Sequence, residues 1–264
     1  MSEAEVLTPG FVYPDRNATI TPELQKSKHR CCDIDPALYG GYADPALLCI
    51  HVMLAMRDVM PLTGQVHMTQ SFEQKERIKI GEKLIARGRT VSVVPAARGN
   101  IITSRFEFVR PDGSVPLFTD RSSMRPSAEA TKKGPSETGK PKPEESLAGF
   151  EPLFRKHLEP AKVAEFSIEG ENRIHDDPEA ARRFGFKAPI AAGVMALNFI
   201  MEALTRAGGV PKTMNWQARF LRPMFWDEPL DILGRKENGR LVALRIHNPE
   251  GKPTSVATVQ GVTY

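Results

Sequence analysis

The chain has 264 residues, long for one compact domain and comfortable for two of about 100–130 residues each. A hydrophobic share of 41% and a charged share of 26% exclude a globally disordered chain. The net charge of +4 collects in short runs such as Lys132-Lys133 and Lys140-Pro141-Lys142, not along a helix face, which argues against nucleic acid and suits a phosphorylated small molecule.

Cys31, Cys32 and Cys49 are odd in number and lack metal-ligand spacing, so neither a disulfide scaffold nor a zinc site is expected. Cys49 lies in an apolar run and is expected to be a buried thiol. The first residues carry no basic region followed by an apolar stretch. The apolar runs near 45–56 and 189–201 fall short of the ~20 residues that span a bilayer. The expectation is a cytoplasmic protein with no membrane or nucleic-acid partner.

Taken in chain order, the first strong signal is Gly41-Tyr42-Ala43-Asp44-Pro45, followed by an apolar run from Ala46 to Met56 that only His51 interrupts. Pro at a first helical position loses no hydrogen bond, and Asp44 is placed to cap, so a helix is predicted there. A helix apolar all round is a buried one. Strands rich in Val, Ile, Thr and Phe are predicted near 65–75, 83–95, 100–110 and 115–124. His51 reads best as a core histidine, and the preceding Asp33-Ile34-Asp35-Pro36 offers it no partner pattern.

From Pro126 to Glu145 the sequence is polar and rich in helix breakers, which predicts a flexible linker, with 146–160 a short helical or irregular lead-in. The pattern then repeats. Gly185-Phe186-Lys187-Ala188-Pro189 mirrors the earlier pentapeptide, and an apolar run from Ile190 to Met201 follows, interrupted by Asn198. Strands are predicted near 214–222, 230–237, 240–248 and 254–263. The turns match too: Val109-Arg110-Pro111-Asp112-Gly113 against His247-Asn248-Pro249-Glu250-Gly251. Each half is thus one buried helix followed by about four antiparallel strands, an α+β layer arrangement. The division is 1–125, a linker and lead-in over 126–158, and 159–264.

The segment that points to chemistry runs from Phe166 to Gly193 and contains Asn172-Arg173-Ile174-His175-Asp176-Asp177-Pro178, Gly185-Phe186 and Pro189-Ile190. Asp177-Pro178 reads as a helix N-cap with Pro at the first position. Over about thirty residues this resembles the MaoC-like, (R)-specific enoyl-CoA hydratase family, whose loop has the form Gly-Asp-x-Asn-Pro-Ile/Leu-His and leads into a central helix. The matches are Asn172, Ile174, His175, Asp177, Pro178, Ala180 or Ala181, Gly185, Phe186, Pro189, Ile190 and Gly193. The departures are Gly170 where the family places its catalytic Asp, Arg173 for its Pro, and Ala192 for a His before the helix glycine.

The resemblance implies two hotdog folds in one chain, each a long central helix wrapped by antiparallel sheet, the pair forming a pseudo-dimer. It implies hydration or dehydration of a 2-enoyl or 3-hydroxyacyl thioester, on coenzyme A or a carrier protein, with no cofactor and no metal. It assigns acid/base work to His175, an oxyanion-binding N–H to Gly193, and an orienting role to Asn172, which also suits a plain turn. Glu169 and Glu171, each one residue from the missing Asp, are candidates to replace it, or are exposed loop acids. The first half is expected to shape an acyl tunnel and to hold no site of its own. Met53, Met56, Met60 and Met195 are either tunnel lining or core filling. Arg219, Arg222 and Lys212 are either phosphate ligands or solvated surface. The competing readings are a hotdog acyl-thioester hydrolase and a non-catalytic acyl-thioester binder. Monomer and homodimer are equally open.

Overall fold

The computed structural model describes residues 3–62, 64–127 and 147–264. The linker expected from Pro126 to Glu145 lies, beyond Ser127, outside the described residues. Ten antiparallel strands form one sheet in the order β1-β3-β4-β5-β2-β7-β10-β9-β8-β6. In the first half β1 is Arg16–Asn17, β2 Val66–Gln74, β3 Ile85–Ala96, β4 Gly99–Val109 and β5 Leu117–Pro126. In the second β6 is Phe150–His157, β7 Thr213–Phe220, β8 Pro229–Glu237, β9 Arg240–His247 and β10 Pro253–Thr263. The helices are α1 (Glu3–Val6), α2 (Pro22–Cys31), α3 (Leu48–Arg57), α4 (Pro160–Phe166), α5 (Pro178–Arg183) and α6 (Gly193–Gly208).

The halves meet where β2 pairs with β7, from Thr69↔Arg219 to Gln74↔Met214. Phe72 and Trp216, register partners across that seam, stack with ring centroids 4.6 Å apart, and neither is exposed. One apolar core runs through both halves and takes in α3 and α6. The two repeated turns close β4–β5 and β9–β10. Gly113 and Gly251 supply the positive φ of 86° and 72°, while Asp112 and Asn248 accept the following backbone N–H groups.

Two expectations need correction, and one helix is new. The lead-in is not helical or irregular throughout, because Phe150–His157 is strand β6 on the outer edge of the sheet. Its Pro152 is tolerated because β6 is an edge strand whose register shifts between Pro152 and Phe154. Helix α2 is polar on most positions and was not anticipated; Thr21 caps it through Leu24 N, with Pro22 at its start. Pro45 does open the first central helix, through a 3-10 turn capped by Asp44, but Pro189 does not open the second. There, Ala191 N bonds Met224 O and Trp226 N bonds Pro189 O, so the chain stays extended and α6 begins at Gly193.

Candidate active site

That late start shapes the site. Asp44 satisfies an orphan N–H at the head of the first central helix. Ala192, the N-cap of helix α6, provides no side-chain cap, and the N–H groups of Gly193 and Val194 meet no acceptor among the described residues. Free N–H groups at a helix head carry a partial positive charge and bind developing negative charge. They lie at the wall of a pocket of about 450 Å³.

The loop before α6 brings His175 to the same pocket. A 3-10 turn over Arg173–His175 is pinned to the extended segment twice: Ile190 N donates to Ile174 O, and His175 Nδ1 lies 2.7 Å from Ile190 O. A carbonyl only accepts, so Nδ1 carries the proton and Nε2 keeps its lone pair. Burial lowers the His175 pKa below 6.5, so the ring is a neutral base near pH 7.

Asn172, Glu169 and Gly193 line the pocket with His175; Glu171 does not. Asn172 Oδ1 is buried with no partner among the described residues. Glu169 is held by Lys28, whose Nζ is 2.6 Å from Oε2. Glu171 adopts a left-handed φ of 48° and turns outward to Arg57, at 2.8 Å, with its side chain 76% exposed. At Gly170 a Cβ would lie 3.4 Å from Met53 Sδ, so a thioether already packs where a side chain would begin.

Sequence reasoning passed over two pocket residues from the first half, His67 on β2 and Arg121 on β5. His67 Nε2 lies 3.1 Å from Thr69 O and 3.0 Å from Gln70 Oε1. Gln70 Nε2 donates to Thr119 Oγ1, and Thr119 donates to Ser71 O, so Gln70 must present its oxygen to the ring. His67 is therefore protonated on Nε2 and bare on Nδ1. Burial, and then the nearby Arg121 charge, hold its pKa well below 6.5. Nδ1 would lie 2.7 Å from a Cβ at position 193, so that position needs glycine because an imidazole packs against it. The only sequence signal for either residue was a polar side chain in a strand's inward phase. His51 is not among the pocket-lining residues.

The three cysteines are free and buried. Met53 lines the pocket, whereas Met56, Met60 and Met195 are core. Arg222 reaches the pocket and donates to Pro253 O; Lys212 and Arg219 do not line it.

Comparison with known proteins finds likeness in one stretch of sequence and in the fold. Residues 144–257 match the family model for the MaoC like domain. No curated protein matches the chain. HtdX of Mycobacterium tuberculosis is similar in structure, with a TM-score of 0.76, 20% identity, and coverage of 93% of this chain and 98% of that one. A MaoC-like dehydratase of Phytophthora capsici gives a TM-score of 0.67 at 18% identity, covering 100% of both chains. A conserved Mycobacterium tuberculosis protein with a double hotdog fold gives 0.65 at 13% identity, covering 96% of each. The fold here is the same double hotdog.

Proposed function

We propose that this protein, whose residues 144–257 match the family model for the MaoC like domain, adds water to a 2-enoyl thioester, or removes it from the 3-hydroxyacyl thioester. The observation that carries this is the pairing of a neutral imidazole, fixed by Ile190 O, with the uncapped head of α6 in one pocket.

In the hydration direction His175 Nε2 takes a proton from water. The water oxygen bonds to C3, and the C2–C3 π electrons move toward the carbonyl, whose oxygen becomes an enolate. Gly193 N–H, at the head of α6, binds that charge more strongly than it binds the ground-state carbonyl. C2 then takes the proton from the imidazolium, and water has been added across the double bond. A single imidazole serves both steps when H and OH add to one face, so the reaction does not require an acid at position 170. Asn172 Oδ1 is available to orient the water.

A second reading, an acyl-thioester binder without turnover, draws on Gly170 and the Met53 packing beside it. The two separate in one assay. Short, medium and branched trans-2-enoyl-CoAs are followed for loss of enoyl absorbance and release of free thiol. The hydratase reading expects absorbance loss without thiol, and a fall of about 10²–10⁴-fold in His175→Ala. Binding without turnover supports the second reading; thiol release by the wild type indicates a hydrolase.

A further inference from the structure

Arg121 is a buried charge for which the reaction above has no use. On β5 the residues Leu117, Thr119, Arg121 and Ser123 alternate inward, and Arg121 is 7% exposed. Two other cations buried as deeply are neutralised, Lys28 by Glu169 at 2.6 Å and Lys156 by Glu202 at 2.7 Å. Among the described residues Arg121 has no carboxylate partner. Its one hydrogen bond among them runs from Nε to Ser123 Oγ at 3.1 Å. That bond draws the side chain along the strand toward Ser123, which is the register partner of His67. Among the described residues the Nη donors have no acceptor, and Arg121 lines the pocket.

A second observation agrees. Gln65, two residues before His67, also lines the pocket and is 7% exposed, yet neither of its side-chain polar atoms has a partner among the described residues. A pocket meant only for a hydrocarbon chain would not hold a lone guanidinium and a lone amide, since both are costly to bury unpaired. A guanidinium presents paired N–H donors that match the two oxygens of a carboxylate.

We propose that the substrate's acyl group itself carries a carboxylate, so that the pocket takes the half-thioester of an unsaturated or hydroxylated dicarboxylic acid, with Arg121 binding the free carboxylate. This deepens the hydratase reading and rests on it. The carboxylate is placed on the acyl group and not on coenzyme A because Arg121 lies deep. Its inward neighbours on β5, Leu117, Thr119 and Ser123, are 0%, 1% and 0% exposed.

The test compares kcat/KM for matched trans-2-enoyl-CoAs that end in a carboxylate or in a methyl group. The wild type should prefer the carboxylate by about 100-fold or more, as buried polar sites reject analogues that leave them unpaired. Arg121→Met should erase the preference by losing the carboxylate substrate alone, and Arg121→Lys should keep part of it. Arg121→Met should also melt no lower than the wild type, because an unpaired buried charge is removed. Titration with a saturated dicarboxyl-CoA provides a readout that needs no turnover. Equal use of both substrates by the wild type overturns the proposal and leaves the hydratase reading intact. Equal weakening of coenzyme A and every thioester in Arg121→Met also overturns it, by assigning Arg121 to the phosphates. Arg121-dependent binding of the dicarboxyl thioester with no turnover upholds the anion site and defeats the hydratase reading. Neither binding nor turnover defeats both.

Discussion

Position 193 shows how tightly single residues set this site. A Cβ there would meet His67 Nδ1 at 2.7 Å, and the ring cannot swing away without leaving Thr69 O, Gln70 Oε1 and the face of Phe220, 4.5 Å between centroids. Gly193→Ala should therefore displace either the imidazole or the head of α6, costing about 1–3 kcal/mol by overpacking. Turnover should suffer more than substrate affinity, because in the proposed reaction the N–H meets charge that develops on the carbonyl oxygen. Denaturant unfolding and a separate measurement of kcat and KM check both parts. An unchanged kcat would remove Gly193 from the oxyanion role.

The residues that line the pocket were legible in uneven ways. His175, Asn172 and Gly193 lie within about twenty residues, so a local pattern could group them. His67 and Arg121 reach the same pocket from strands more than fifty residues upstream, and only the β2–β5 and β2–β7 pairings bring them there. No local spacing encodes that. Glu169 and Glu171 looked equivalent in sequence, each one step from position 170. The left-handed backbone at Glu171 separates them, sending one to Arg57 and leaving the other at the pocket wall on Lys28.

Among elements, the strands best read from sequence were those with inward apolar residues at period two and a Pro-acid-Gly turn beside them. Strand β6 escaped because Pro152 and its charged neighbours resemble a loop, and only pairing with β8 makes it a strand. Helix α2 escaped because packing, not an apolar stripe, holds it: Lys28 reaches the carbonyls of Glu165 and Phe166 at the end of α4. The start of α6 was misplaced because Pro189 imitates Pro45, while backbone pairing with Met224 and Trp226 keeps the second copy extended.

The seam between β2 and β7 is the element contact on which the pocket depends. Phe72 and Trp216 anchor it, and truncating either removes a fully buried ring from a stacked pair. Phe72→Ala should cost about 3–5 kcal/mol, read as a lower urea midpoint. A cost below about 1 kcal/mol would mean that the seam relaxes freely and that other contacts hold the halves together.

For the whole molecule, four histidines have pKa values lowered below 6.5, with burial the leading cause at His51, His67, His175 and His247. Neutral rings in the folded state bind fewer protons than the same rings in the unfolded chain. Their contribution is present in full above about pH 6.5 and is lost as pH falls through the folded values. The urea midpoint should be flat above neutrality and should decline below pH 6.5, before carboxylates begin to titrate near pH 4. A midpoint that holds steady from pH 7.5 to 5 would contradict this. If His175 is the base of the proposed hydration, the same neutrality predicts an acid limb in its rate below pH 6.5.

Two similar halves have become unlike in what they give the site. The second supplies the loop, the imidazole and the helix head; the first supplies a second imidazole and a buried cation. In the proposed reaction, water is added across a carbon–carbon double bond in that shared pocket. The most direct test is mass spectrometry of a trans-2-enoyl thioester incubated with the protein. Addition of the mass of one water, with the thioester intact and the change abolished in His175→Ala, is the predicted result. Unchanged substrate, or free thiol in place of the hydrated thioester, would contradict it.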